Sequence, residues 1–215
     1  MNEDMQPGDE LILAIVHDLR AGLRRSLTSA QMLDRSAGAK LDAEPRQLLA
    51  AVIEANKDSD RFLGRLSDFA NASHISDGRP IPLQAALQIA AQQFPSFPVQ
   101  LPDSLATANA AVPREFVRLF AELFDNGLKF SGGSPLAVGV TPETVEIADS
   151  GIGVHAGEEE RIFEPLVRLH SRDLYPGFGL GLAICRRIAG AAGASVRIVA
   201  NSPAGARAIV TLPSA

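Results

Sequence analysis

The chain has 215 residues, 46% hydrophobic and 21% charged, which is the balance of a folded globular protein. That balance excludes a wholly disordered chain, a collagen and a disulfide scaffold. A net charge of −5 and only 5% aromatic residues, with no tryptophan, argue against nucleic acid as a partner, because phosphate contacts and base stacking both lack their side chains.

The acidic start, Met1 to Glu10, lacks the basic residues of a secretion signal. No apolar run approaches the ~18 residues that span a bilayer, and Leu11–Val16 is stopped by His17-Asp18. The lone Cys185 lies in an apolar helical run and reads as a small buried hydrophobe in a reducing compartment. A cytoplasmic protein with no membrane span is the expectation.

In chain order, residues 1–9 read as a tail and residues 10–73 as two long helices. In the first, Ile12, Val16, Leu19, Leu23, Ser26, Ala30 and Leu33 recur at steps of four and three, the spacing of a bundle seam. After a loop over 36–42, Val52, Ala55, Ser59, Phe62, Leu66 and Phe69 repeat that rhythm. One hairpin lacks the depth to bury both stripes, so a homodimer forming a four-helix bundle is predicted. Residues 74–80 read as a linker within a Pro- and Gly-bearing stretch that runs from Asn71 to Pro82.

From residue 81 to 215 the pattern mixes helices and strands without a βαβ rhythm, which predicts an α+β domain. Helices are expected over Leu83–Phe94, over Pro113–Lys129 with the proline in the first turn, and over Leu180–Ala192. Val99–Leu101 reads as a short strand. Hairpins are expected from Leu136–Val140 with Thr144–Ala148, and from Ser195–Ala200 with Ala206–Leu212 around a turn at 201–205.

Four segments carry chemistry. On the long helix, Glu122-Leu-Phe-Asp-Asn126 puts Glu122 and Asn126 on one face. Asn126 offers an oxygen that suits Mg²⁺, Glu122 is a second candidate ligand, and Lys129 lies one turn on, within reach of an anion. Asp149-Ser-Gly151-Ile-Gly153 places a carboxylate at a strand end, where it can accept from an exocyclic amine such as that of adenine, with glycines that admit close backbone approach. Residues 161–176, with Arg168, His170 and Arg172, read as a polar, basic loop able to act as a lid. Gly177-Phe-Gly179-Leu180-Gly181-Leu182 runs into a helix whose first N–H groups can hold phosphate; the Leu180 and Leu182 side chains read as packing groups. Each segment alone also describes an ordinary turn, loop or helix edge.

In this order the set resembles the nucleotide-binding boxes of the GHKL superfamily, which holds gyrase-type ATPases, Hsp90, MutL and histidine kinases. The resemblance covers residues 81–215 and implies an α/β-sandwich domain that binds ATP and Mg²⁺ through Asn126, Lys129, Asp149, Gly151, Gly153, Arg168, Arg172, Gly177, Gly179, Leu180, Gly181 and Leu182. His17, in Val16-His-Asp-Leu-Arg20-Ala21-Gly22 on the first helix, falls at heptad position b, facing solvent, when Val16 and Leu19 take the seam positions a and d. An imidazole nitrogen can attack a γ-phosphate when a neighbouring base, here Asp18, takes its proton. Ahead of a GHKL-like domain it is similar to the phosphoacceptor box of sensor histidine kinases, and residues 168–177 resemble the phytochrome-type branch. His74 and His155 read as ordinary surface histidines.

That resemblance implies an autokinase that phosphorylates His17 and passes the phosphoryl group to an aspartate of a response-regulator receiver domain. The stimulus would then come from a missing segment or a separate sensor protein. The chain departs from the family pattern at Ala21 and Gly22, where Thr or Asn and Pro are frequent, and at Glu122 and Phe178, where Asn and Thr are frequent. Two other readings stay open: a GHKL ATPase with Glu122 orienting water, and a non-catalytic phosphotransfer or scaffold protein on the same fold.

Overall fold

A computed structural model of the chain describes residues 6–96, 99–103, 105, 110–201 and 203–213. Residues 1–5 of the expected tail and Ser202 of the last expected turn lie outside the described residues. The chain divides into two compact units between Asn71 and Ala72, so the expected linker is part of the second unit.

The first unit is a hairpin of α1 (Pro7–Ala37) and α2 (Ala43–Ala70), joined by a single 3₁₀ turn over Gly38–Lys40. Pro7 opens α1, where its missing N–H costs no helix bond. The turn is braced by Arg46, whose guanidinium donates to the carbonyls of Gly38, Ala39 and Leu41. Val16 and Ala30 of α1 and Leu49, Leu63 and Ala70 of α2 are buried in this unit. Leu19, Leu33 and Val52, expected in the seam, are instead 54%, 50% and 48% exposed, so a single hairpin leaves much of each stripe uncovered. Among the described residues, no helix is long and apolar enough to cross a membrane.

The second unit is α+β. Its five-stranded sheet has the order β2 (Val99–Gln100), β4 (Leu136–Val140), β5 (Thr144–Ala148), β7 (Ala206–Thr211), β6 (Ser195–Ala200). β2 runs parallel to β4 and every other pairing is antiparallel. Alternation decides which face is inside: Leu136, Val138, Val145, Ile147, Val196, Ile198 and Val210 are buried, while their strand neighbours Ala137, Gly139 and Arg197 are exposed. Against the sheet lies α4 (Phe116–Phe130), flanked by α3 (Leu83–Ala91) and α5 (Gly181–Ala191). Apart from Glu122, the buried residues of α4, Phe116, Leu119, Phe120, Leu123, Phe124, Gly127 and Leu128, follow the three–four spacing of a core-facing helix.

The α+β reading and both hairpins stand as expected, and several boundaries move by one to three residues. A two-stranded sheet of β1 (Ile81–Pro82) and β3 (Ala111–Val112), absent from the sequence reading, holds Val112 extended. Pro113 therefore belongs to a turn, its carbonyl accepting from Phe116 N–H at 3.0 Å, and the helix starts three residues later than expected. The first helix of this unit ends at Ala91 rather than Phe94, and the last strand stops at Thr211.

The first residues of the second unit are tied down by side chains. Ser76 donates to Glu115 Oε1 through its N–H (3.1 Å) and its hydroxyl (2.7 Å), and Arg187 Nε donates to Ser73 Oγ at 2.8 Å. Burial pushes the Glu115 carboxyl up. Hydrogen bonds from the Ser76 hydroxyl and from the backbone N–H groups of Glu115 and Ser76, with the His74 charge, outweigh it and hold the group below the usual glutamate value.

Candidate functional site

The site-bearing segments of the second unit meet around the C-terminal half of α4. Glu122 and Asn126 are one turn apart on that helix, and both face the start of α5. A Cβ built on Gly181 would lie 3.0 Å from Glu122 Oε2 and 3.4 Å from Asn126 Nδ2. Glu122 is 8% exposed, with Arg118 Nε 4.0 Å from its Oε1. The Asn126 amide is half-buried and its Nδ2 has no hydrogen-bond partner. An amide that turns end for end presents its oxygen in the same place, so this side chain can offer a hard cation an oxygen ligand.

At the end of α4 the Asp149 loop closes in. Asp149 Oδ1 accepts from Gly151 N–H at 2.8 Å and from Ala206 N–H at 3.1 Å, which fixes the carboxylate and leaves Oδ2 as its second acceptor. Gly151 passes so near the α4 terminus that a Cβ would fall 1.9 Å from the Phe130 carbonyl oxygen, so only glycine fits. Ile152 N–H donates to that same carbonyl at 3.3 Å.

Between the Asp149 loop and α5 runs the segment 161–180. It holds one 3₁₀ turn, Arg161–Phe163, which the sequence reading did not anticipate. Arg168 donates to the carbonyls of Gly177 and, at 2.6 Å, Tyr175, so its guanidinium braces the loop from within rather than pointing an uncommitted fork outward. Arg172 lies over the Phe178 ring, 4.7 Å from its centroid. His170 and Tyr175 pack with Phe130 of α4, centroids 4.7–5.9 Å apart. The role of Phe130 and Tyr175 was not legible in sequence, because nothing in their spacing marks them as neighbours.

Gly179 has φ +72°, and any Cβ there would meet the Val167 carbonyl at 2.7 Å. Its carbonyl accepts from Leu166 N–H at 2.9 Å. Lys129 pairs with Asp125, and its Nζ lies 4.0 Å from where a Gly177 Cβ would be. Leu180 is 1% exposed, a packing residue as expected, while Leu182 is half-buried. The fold thus brings Glu122, Asn126, Lys129, Gly177, Gly179 and Gly181 to one region, with Gly151 against the end of the same helix and Asp149 and Gly153 beside it in the chain, against the turn that holds Gly205. This arrangement offers a carboxylate acceptor, an amide oxygen, an ammonium and the N–H groups of the first turn of α5, which have no intrahelical partner.

In the first unit His17 stands on α1 with its side chain 86% exposed, and its Nδ1 is 3.1 Å from Asp18 Oδ1. Beside it a shallow groove is lined by Val16, Arg20, Ala21, Arg24 and Ser67. Arg20 Nε donates to Asp60 of α2 at 3.1 Å.

Residues 111–215 match the family described as histidine kinase-, DNA gyrase B-, and HSP90-like ATPases. The chain is 30% identical over 218 residues to the sensor histidine kinase GtrS of Pseudomonas aeruginosa, covering 95% of this chain and 41% of the relative. It is 26% identical over 207 residues to the adaptive-response sensory kinase SasA of a Synechococcus strain, covering 87% of this chain and 54% of the relative. Among solved structures, full-length ShkA in complex with AMPPNP is similar with a TM-score of 0.69 and 22% identity, over 95% of this chain and 45% of that one. The chain spans about half, or less, of the first curated relatives it matches. With two long helices ahead of the domain that matches this ATPase family, and sensor kinases similar across both, the chain is similar to the catalytic core of histidine kinases in the GHKL superfamily.

Proposed function

We propose that this chain is an ATP-dependent autokinase whose phosphoacceptor is His17, with Mg·ATP bound by the second unit and the phosphoryl group passed on to a response-regulator aspartate. The observation that carries the reading is the state of His17. Its ring is open to solvent, and Nδ1–H donates to Asp18, which leaves the lone pair on Nε2. Nε2 then forms the N–P bond as the bond from the γ-phosphorus to the bridging oxygen breaks, ADP leaves, and the positive charge on the ring is shared with Asp18.

In the second unit Asp149 accepts from the adenine amine through Oδ2, the oxygen outside its two backbone hydrogen bonds. The Gly177–Gly181 segment and the first turn of α5 bring N–H groups to the phosphates, with Lys129, paired with Asp125, as the nearby cation. Asn126 fits Mg²⁺ through its buried, partnerless amide end, with Glu122 as second candidate. Bound there, the metal would neutralise charge developing on the phosphates. A group of three His, Cys, Asp or Glu side chains able to hold a metal does not occur among the described residues, which suits a cation shared with phosphate and water. The uncovered stripes of α1 and α2 support a homodimer, and a cytoplasmic location follows from the need for ATP.

The test is incubation with γ-labelled ATP. Label that is acid-labile and base-stable on the protein supports a phosphohistidine. Release of free phosphate with no labelled protein would favour the ATPase reading, which the placement of the Glu122 carboxylate beside Gly181 keeps open.

A further inference from the structure

We propose that Asn201 and Arg207 are positioning residues for Asp149, and that the turn between β6 and β7 thereby sets how strongly the site prefers adenine over other bases. The inference rests on the reading of Asp149 as the adenine acceptor. Asp149 is held from two sides by that turn. Its N–H and Oδ1 exchange hydrogen bonds with Ala206, at 2.9 Å to the Ala206 carbonyl and 3.1 Å from the Ala206 N–H. Its own carbonyl accepts from Asn201 Nδ2 at 2.8 Å. Gly205 backs that carbonyl so closely that a Cβ would sit 2.1 Å from the oxygen.

A side-chain amide can reverse its ends, so a single bond would not fix Asn201. Here the other end is specified as well. Arg207 Nη2 donates to Asn201 Oδ1 at 3.0 Å, and Arg207 Nη1 donates to Glu146 Oε2 at 3.3 Å. A guanidinium carries donors only, so it selects the amide oxygen and turns Nδ2 toward Asp149. The sheet register places these groups together: Ala148 of β5 pairs with Arg207 of β7, and Glu146 is two residues back on the same face. The chain Glu146, Arg207, Asn201, Asp149 therefore ties the carboxylate-bearing loop to the sheet rather than to the segment 161–180.

Such rigidity has a specific consequence. An adenine amine donates to a carboxylate, whereas a guanine presents a carbonyl oxygen at the equivalent position, and two acceptors repel. Discrimination of that kind is large only when the protein acceptor cannot turn away. Loosening Asn201 should therefore cost selectivity and not merely affinity.

The experiment titrates the full chain with ATP and with GTP by calorimetry, alongside thermal unfolding, for wild type, N201D, R207M, the double variant and D149N. N201D keeps the shape and the Arg207 partner but replaces the donor to Asp149 by an acceptor. The expected result is a loss of roughly tenfold in ATP affinity for N201D, little change for GTP, and a smaller loss in the same direction for R207M. Because Arg207 acts through Asn201, the double variant should bind ATP within about twofold of N201D alone. ATP and GTP affinities in N201D equal to wild type would overturn the inference. So would parallel losses for both nucleotides that track lost thermal stability. If N201D fails to fold, R207M carries the same test with Asn201 in place. D149N binding ATP as wild type does would bring down the adenine reading and this inference with it. Loss of binding in D149N with N201D unaffected would remove this inference alone.

Discussion

At the scale of single residues, the proposed chemistry divides between a nucleophile on one unit and ligands on the other. His17→Gln should abolish labelled protein while ATP affinity stays within about twofold, because His17 belongs to the unit that ends at Asn71 and every residue proposed to hold the nucleotide to the unit after it. Filter binding and an acid-lability assay check both halves. Asn126→Ala should lower nucleotide affinity chiefly in the presence of Mg²⁺, so that its titrations with and without the metal converge. Identical metal dependence in wild type and variant would refute the metal role. A third residue, Ala21, lines the groove beside His17 without a donor or acceptor of its own. Hydrolysing a partner's phosphoaspartate needs a water held in line, and an unoriented water slows such a step by ~10² or more. Wild type should therefore dephosphorylate a phosphorylated receiver weakly, and Ala21→Thr should raise the rate of phosphate release.

Elements contribute through the way one turn is pressed on another. Gly151 lies against the terminus of α4 at a distance no side chain tolerates. Gly151→Ala should cost about 2 kcal/mol of stability, lowering the melting temperature by about 4 °C, and should weaken ATP binding because Asp149 moves with it. The tie between Ser76 and the start of α4 predicts a pH signature. Glu115 has a lowered pKa in the folded chain, so the carboxylate favours folding above the unfolded value, and that contribution disappears as pH falls through the folded value. Glu115→Gln should thus be less stable than wild type near neutral pH by under ~1 kcal/mol, since the group is only half-buried and solvent screens part of the interaction. The gap should close below about pH 4, as urea midpoints across pH would show.

For the whole molecule the question is what covers α1 and α2. Leu11, Ile15, Leu19, Met32, Leu33, Leu48 and Val52 are all exposed large hydrophobics on this one hairpin, more than a lone helical pair leaves bare without a partner. In the proposed homodimer a second copy would supply matching stripes and complete a four-helix bundle. Leu33→Glu together with Leu48→Glu should convert the full chain from dimer to monomer in light scattering at micromolar concentration, with nucleotide affinity unchanged. A wild-type chain that is monomeric under those conditions would remove the bundle argument.

The sequence by itself determined the periodic elements and the order of the boxes. The heptad steps of α1 and α2, the alternation of β4, β5 and β6 and the glycine-rich segments are local patterns, and local patterns survive being read in one dimension. It also determined which residue types stand ready for phosphate, adenine and metal. The tertiary structure decided what only distance can decide. The short strands β1 and β3 exist because Ile81–Pro82 finds Ala111–Val112 some thirty residues away, and two-residue strands carry no period to detect. Arg168 turned inward because two loop carbonyls lay within its reach. Asn201 and Arg207, by sequence a turn residue and a strand residue, meet Asp149 and Glu146 because the sheet sets β7 beside β5. Side-chain networks of this kind depend on register between strands far apart in the chain, and register is fixed by the packed core rather than by any one segment.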